Sequence, residues 1–102
     1  MQKYNVIVSS DATTDLDEIA DYIANIYRPE TGHKFVNRIL GQISSLSYSA
    51  GTYRTSPFIM ARMIHPQAKT MSIIRHKWTV VFHIEQPNVI VDRILPSSLI
   101  II

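Results

Sequence analysis

Residues 10–39 read SDATTDLDEIADYIANIYRPETGHKFVNRI, and their apolar spacing decides the fold. Leu16, Ile19, Ala20, Ile23, Ala24 and Tyr27 recur at intervals of three and four, which places them on one stripe of a helix. Ser9, Ser10 and Asp11 stand where a helix start needs side-chain oxygens for its free amide groups. Asp11, Asp15, Asp17 and Glu18 crowd the first turns, where the positive end of the helix dipole favours acids. Arg28-Pro29 closes this helix, because the residue before proline is driven out of the helical region, and Pro29 suits the opening of the next. A second stripe follows in Phe35, Val36, Ile39, Leu40, Ile43 and Leu46. Helices near 11–27 and 30–47, joined by so short a link, fold back as an antiparallel hairpin. Gly32 and Gly41 lie within the second stripe, and each costs about 1 kcal/mol of helix propensity against alanine. That cost predicts close packing at both.

Outward from the hairpin the period changes. Residues 4–9 carry the β-branched run of a short strand, and strands are expected at 71–75, 78–85 and 88–95, with turns at His76-Lys77 and Gln86-Pro87. In the middle run Trp78, Val80, Phe82 and Ile84 share one side and Thr79, Val81, His83 and Glu85 the other. Residues 47–69 have no sustained period and read as loop with a short strand near Ala61 to Ile64. The fold class is α+β: an N-terminal strand, an αα-hairpin, then an antiparallel β-meander, with the hairpin on one face of an antiparallel sheet. Ile19, Ile23, Phe35, Ile39, Ile43, Val80, Phe82 and Ile84 are its expected core. Residues 1–102 are read as one domain.

Composition narrows the chemistry. Of 102 residues 46% are hydrophobic and 18% charged, enough apolar material for a core. The absence of cysteine excludes disulfides, cysteine-bound zinc and thiol catalysis. His33, His65, His76 and His83 show no i, i+4 pair and no accompanying carboxylate set, so neither a metal nor another cofactor is expected. No apolar run approaches the roughly 20 residues of a membrane span, so the expected setting is cytoplasmic, away from membranes. Residues 1–50 hold 4 basic and 6 acidic side chains, and residues 51–102 hold 6 and 2. The resulting charges, −2 and +4, point to an acidic partner for the second half.

Ser10, Ala12, Asp15-Leu16, Ile19, Tyr22-Ile23, Pro29, Gly32 and Phe35-Val36, followed by KWTVVFHIE at 77–85 and VIVDRIL at 89–95, resemble the RelE/ParE family of bacterial toxins from type II toxin–antitoxin modules. The resemblance spans residues 4–95. It implies a cognate antitoxin as partner, and as target either DNA gyrase, which the ParE branch poisons, or the ribosome and its mRNA, which the RelE branch cuts. Family nucleases carry lysines or arginines on the sheet and a histidine or tyrosine after the last strand. Here Met71, Ile73, Thr79 and Pro96-Ser97-Ser98 stand at those places, and no tyrosine follows Tyr53. These departures favour the ParE-like mechanism. The alternatives are a RelE-like endoribonuclease and a degenerate, non-toxic, partner-binding member.

The candidate target- or phosphate-binding residues are Arg75, Lys77 and Arg93. For a nuclease the candidates are Arg93, His83 and Arg75. Arg93 shares a strand side with Val89, Val91 and Leu95, and it either contacts a target or pairs with Glu85 or Asp92 at the sheet edge. Arg75 and Lys77 flank a turn, as solvated residues or as target contacts, and His76 sits in that turn. His83 is an acid or base, or a half-buried, hydrogen-bonded imidazole. The acids from Asp11 to Asp21 are expected on a solvated face, and Tyr22 and Tyr27 in packing. Leu99 to Ile102 either pack back or offer an edge to a partner.

Overall fold

The helix start lies where the serine pair places it. In the computed structural model, which describes residues 3–101, Ser9 caps α1 (Ser10–Ile26) by accepting the Ala12 amide at 3.1 Å. Helix α2 (Pro29–Ser44) opens on Pro29 and packs back along α1. A Cβ on Gly32 would lie 2.6 Å from the Ala20 carbonyl oxygen, so glycine sets how closely the two helices approach. Gly41 faces open space, and the close packing expected there is absent. The Ser44 and Ser45 hydroxyls donate to the Gly41 and Gln42 carbonyls at the end of α2. The second helix thus stops short of residue 47, and a turn leads into α3 (Leu46–Ser49) and a 3-10 turn (Ala50–Thr52).

Strands β1 (Asn5–Val8), β2 (Lys69–Ile73), β3 (Trp78–Glu85) and β4 (Asn88–Pro96) form one sheet in the order β1-β4-β3-β2. The meander is antiparallel, but β1 pairs with β4 in parallel, which corrects the expectation of a wholly antiparallel sheet. Parallel neighbours need a long crossover, and here everything between residues 8 and 88 supplies it. Residues 61–64 are not a strand: they belong to α4 (Ile59–Ile64), whose Ala61 is buried with Ala68, Val81 and Ile100 on the outer face of the sheet. So short an apolar run carries no period that separates helix from strand. A 3-10 turn (Ser97–Leu99) brings Ile100 into that outer cluster, so the tail packs back through Ile100 while Leu99 and Ile101 stay exposed; Ile102 lies outside the described residues.

The main core lies between the hairpin and the inner sheet face. Ile19, Ile39, Ile43, Val80 and Phe82 are buried there; Ile23, Phe35 and Ile84, expected with them, are half-buried at its margin. Opposite the Val81–Phe82 step, β4 carries a bulge: Val81 pairs with Arg93 and Phe82 with Val91, leaving Asp92 as the extra residue. The bulge shifts the alternation. Val89, Val91 and Ile94 reach the main core, Leu95 packs on the outer cluster, and Arg93 does not share the inward side of Val89 and Val91.

Candidate functional site

The β2–β3 connection builds the first wall of the site. Strand β2 ends at Ile73, two residues before its expected end, because Ile74, Arg75 and His76 take φ of 50°, 56° and 64°. For a β-branched residue such as Ile74 this left-handed conformation costs about 1–3 kcal/mol. The turn is closed by the Lys77 amide donating to the Ile74 carbonyl at 3.1 Å. It sets Arg75, Lys77 and Trp78 along a groove of about 510 Å³. The opposite wall comes from the hairpin: Tyr22, Ile23 and Tyr27 at α1, and Thr31, Phe35 and Arg38 on α2. Three cations and four aromatic rings therefore line one depression, with no acid among the lining residues. Tyr22 and Tyr27 are 59% and 67% exposed, so they are rim residues of the groove instead of packing residues. Arg38 was not singled out from the sequence, although its place one helical turn after Phe35 puts both on the same face of α2.

Arg93 is elsewhere and already engaged. Its Nε and Nη2 donate to Asp15 Oδ2 and Oδ1 at 2.8 and 2.9 Å, a two-point pair. Asp15 Oδ2 also accepts the buried Ile94 amide at 2.9 Å. Here β4 outruns β1, and a helix side chain takes the place of the missing strand carbonyl; nearby Ser9 stands in for a missing strand amide, donating its hydroxyl to the Asp92 carbonyl at 3.0 Å. Asp15 is thus buried within the fold, which corrects its placing on a solvated face, and the partner of Arg93 is neither Glu85 nor Asp92. The hydrogen bonds from Arg93 to Asp15 hold the guanidinium pKa above its ordinary value. A smaller depression of about 330 Å³ beside this pair shares Tyr22 and Trp78 with the cationic groove.

His83 occupies the outer sheet face and lines neither depression. It is buried, more deeply than half, with Nδ1 2.6 Å from Asp92 Oδ2 and Nε2 3.1 Å from Glu85 Oε1. Burial works against the charged ring, but the hydrogen bonds and charges of Asp92 and Glu85 outweigh it and the pKa is raised. The His65 ring stacks on it, with centroids 3.7 Å apart and planes within 3°. Ligand atoms of His65, His83 and Glu85 lie within 4.8 Å of one another.

Of the sequence candidates, then, Arg75 and Lys77 come together, Arg93 lies apart in a structural pair, and His83 is on the other face. His76 shares the turn of Arg75 without lining the groove. The groove can bind an acidic, partly apolar surface: cations draw in carboxylates, and the aromatic rings offer flat apolar area.

The sequence pattern of the ParE toxin of type II toxin-antitoxin system, parDE, matches residues 6–99. The chain belongs to the ParE toxin family. A search of curated proteins finds no match. A solved structure described as the chromosomal ParDE TA system from P. aeruginosa is similar in fold, with a TM-score of 0.78 over 92% of this chain and 96% of that one, at 23% identity. The α+β architecture of this ParE-family toxin is the one that the RelE/ParE resemblance implies. No helix among the described residues is long and apolar enough to cross a membrane.

Proposed function

We propose that residues 1–102 act as one cytoplasmic toxin unit of a type II module that arrests growth by inhibiting a protein target, DNA gyrase, and that a cognate antitoxin silences it by laying an acidic, aromatic-rich segment in the groove of Arg38, Arg75, Lys77 and Trp78. One observation carries the reading: the open cations and the imidazole are on different parts of the molecule. Cutting RNA requires a base for the 2′-hydroxyl, an acid for the leaving oxygen and cations for the phosphorane, all at one phosphate. Here the groove cations have no imidazole among them, His83 is held between two carboxylates, and Arg93 is bound to Asp15. Binding a protein surface needs no such convergence.

The test is expression of the chain with parallel readouts of the DNA-damage response, gyrase supercoiling with purified protein, and message integrity in a cell-free extract. Damage signalling, lost supercoiling and uncut message are expected. Ribosome-dependent cleavage that disappears in Arg93→Ala, with a rate loss of about 10²–10³, would install the nuclease reading instead. Harmless expression without a co-purifying partner would install the degenerate one. Antitoxin affinity should fall as salt rises, since exposed charges are screened beyond about 8 Å at physiological ionic strength.

A further inference from the structure

We propose that His65, His83 and Glu85 form a binding site for one divalent transition-metal cation of the zinc class, which clips the α4 segment to the outer face of the sheet. The sequence argued against a metal because its histidines show no i, i+4 pair and no accompanying carboxylate set, and 18 positions separate His65 from His83. The fold removes that separation: α4 returns the chain across the sheet and sets His65 directly on His83.

Three observations converge. The ligand atoms of the three residues already lie within 4.8 Å of one another, and a tetrahedral zinc with bonds of about 2.0–2.2 Å needs them about 3.3 Å apart. His83 is the fixed member, buried on a central strand, while Glu85 is exposed and His65 half-exposed in the connection to β2, so those two supply the adjustment. Second, His83 has the support that a ligating histidine requires: Asp92 holds Nδ1 at 2.6 Å, which orients the ring and directs Nε2 toward Glu85. The bulge is what delivers that support, because Asp92 is the extra residue of β4. Third, no hydrogen bond joins His65 to His83, Glu85 or Asp92 among the described residues, so the stack and the exposed Gln67 contact alone hold its ring. In-plane lone pairs of parallel rings cannot meet at one cation, so His65 turns out of the stack to ligate while His83 stays in place.

Two imidazoles and one carboxylate, with water as fourth ligand, suit zinc and its neighbours and do not suit magnesium or calcium, which take oxygen donors. The cation replaces the proton between His83 Nε2 and Glu85 Oε1, which leaves to solvent. The bond that His65 Nδ1 accepts from the Gln67 amide at 3.0 Å is an exposed contact that water replaces as the ring turns. With the site loaded, residues 59–68 are anchored by coordination as well as by the small outer apolar cluster.

The inference stands on geometry independent of the toxin reading. The 102-residue chain, freed of metal by chelator, is titrated with zinc chloride by calorimetry and followed by thermal melting, beside His65→Ala, Glu85→Gln and Asp92→Asn, with His33→Ala as control. One zinc per chain and a raised melting midpoint are expected, with magnesium inert. His65→Ala and Glu85→Gln, both at accessible positions, should fold and lose about 100-fold or more in zinc affinity, and Asp92→Asn about 10–100-fold. His33→Ala should bind as the parent does. Absence of zinc binding at micromolar to millimolar concentration overturns the proposal, and so does equal binding by His65→Ala and Glu85→Gln.

Discussion

Arg93 on β4 and the Arg75–Lys77 pair in the β2–β3 turn are all cations of one sheet, yet their surroundings differ in kind. Arg93 meets a buried carboxylate at two points, and that carboxylate also satisfies a backbone amide of β4. Arg75 and Lys77 line an open groove, and among the described residues neither forms an ion pair with an acid. A cation that completes the sheet is part of the architecture, and a cation held out on a strained turn is available to a partner. Charge alone does not separate the two roles; the position of the nearest acid does.

The largest expected effect breaks the first half of this contrast. Asp15→Ala removes both guanidinium bonds and leaves the Ile94 amide buried without an acceptor, a loss of about 2–3 kcal/mol by denaturant unfolding. Asp15→Asn keeps an oxygen for that amide and should lose less. If Asp15→Ala unfolds at the parent midpoint, the pair is ornamental and Arg93 returns to the list of target contacts. The glycines of α2 pose the same question on a smaller scale. Gly32→Ala drives a Cβ against the Ala20 carbonyl and should destabilise by about 1–3 kcal/mol. Gly41→Ala meets nothing and should stabilise by about 0.8–1 kcal/mol, visible as a raised melting midpoint. The smallest stability effect belongs to the groove: Arg75→Glu with Lys77→Glu should shift unfolding by no more than about 0.5 kcal/mol while abolishing both antitoxin capture and growth arrest. A double variant that stays toxic would move the target surface away from the hairpin.

The hairpin was legible because its stripes repeat over many turns and both ends carry chemical punctuation in Ser9 and Pro29. Val80 and Phe82 were legible for the same reason at period two. Asp15 was not, because nothing in the acid-rich first half of α1 marks which carboxylate faces a strand arriving 78 residues later. Arg93 was placed on the wrong side because one extra residue at Asp92 reverses the alternation beyond it. The meeting of His65 with His83 depended on α4, a helix too short to announce itself. Local periods can be read along a chain; contacts made by a single side chain across most of its length cannot.

Among the described residues strand β1 finds its only sheet partner in β4, with Ile7 opposite Ile90. During synthesis at about 5–20 residues per second, some 4–17 s separate the appearance of these two strands. Through that interval the hairpin exists without the floor that buries it, and the amide of Ile94, the guanidinium of Arg93 and the inward side chains of the last strand have yet to be made. Until that strand is made the sheet cannot close beneath the hairpin, and the Asp15 carboxylate has neither the Arg93 guanidinium nor the Ile94 amide to accept from.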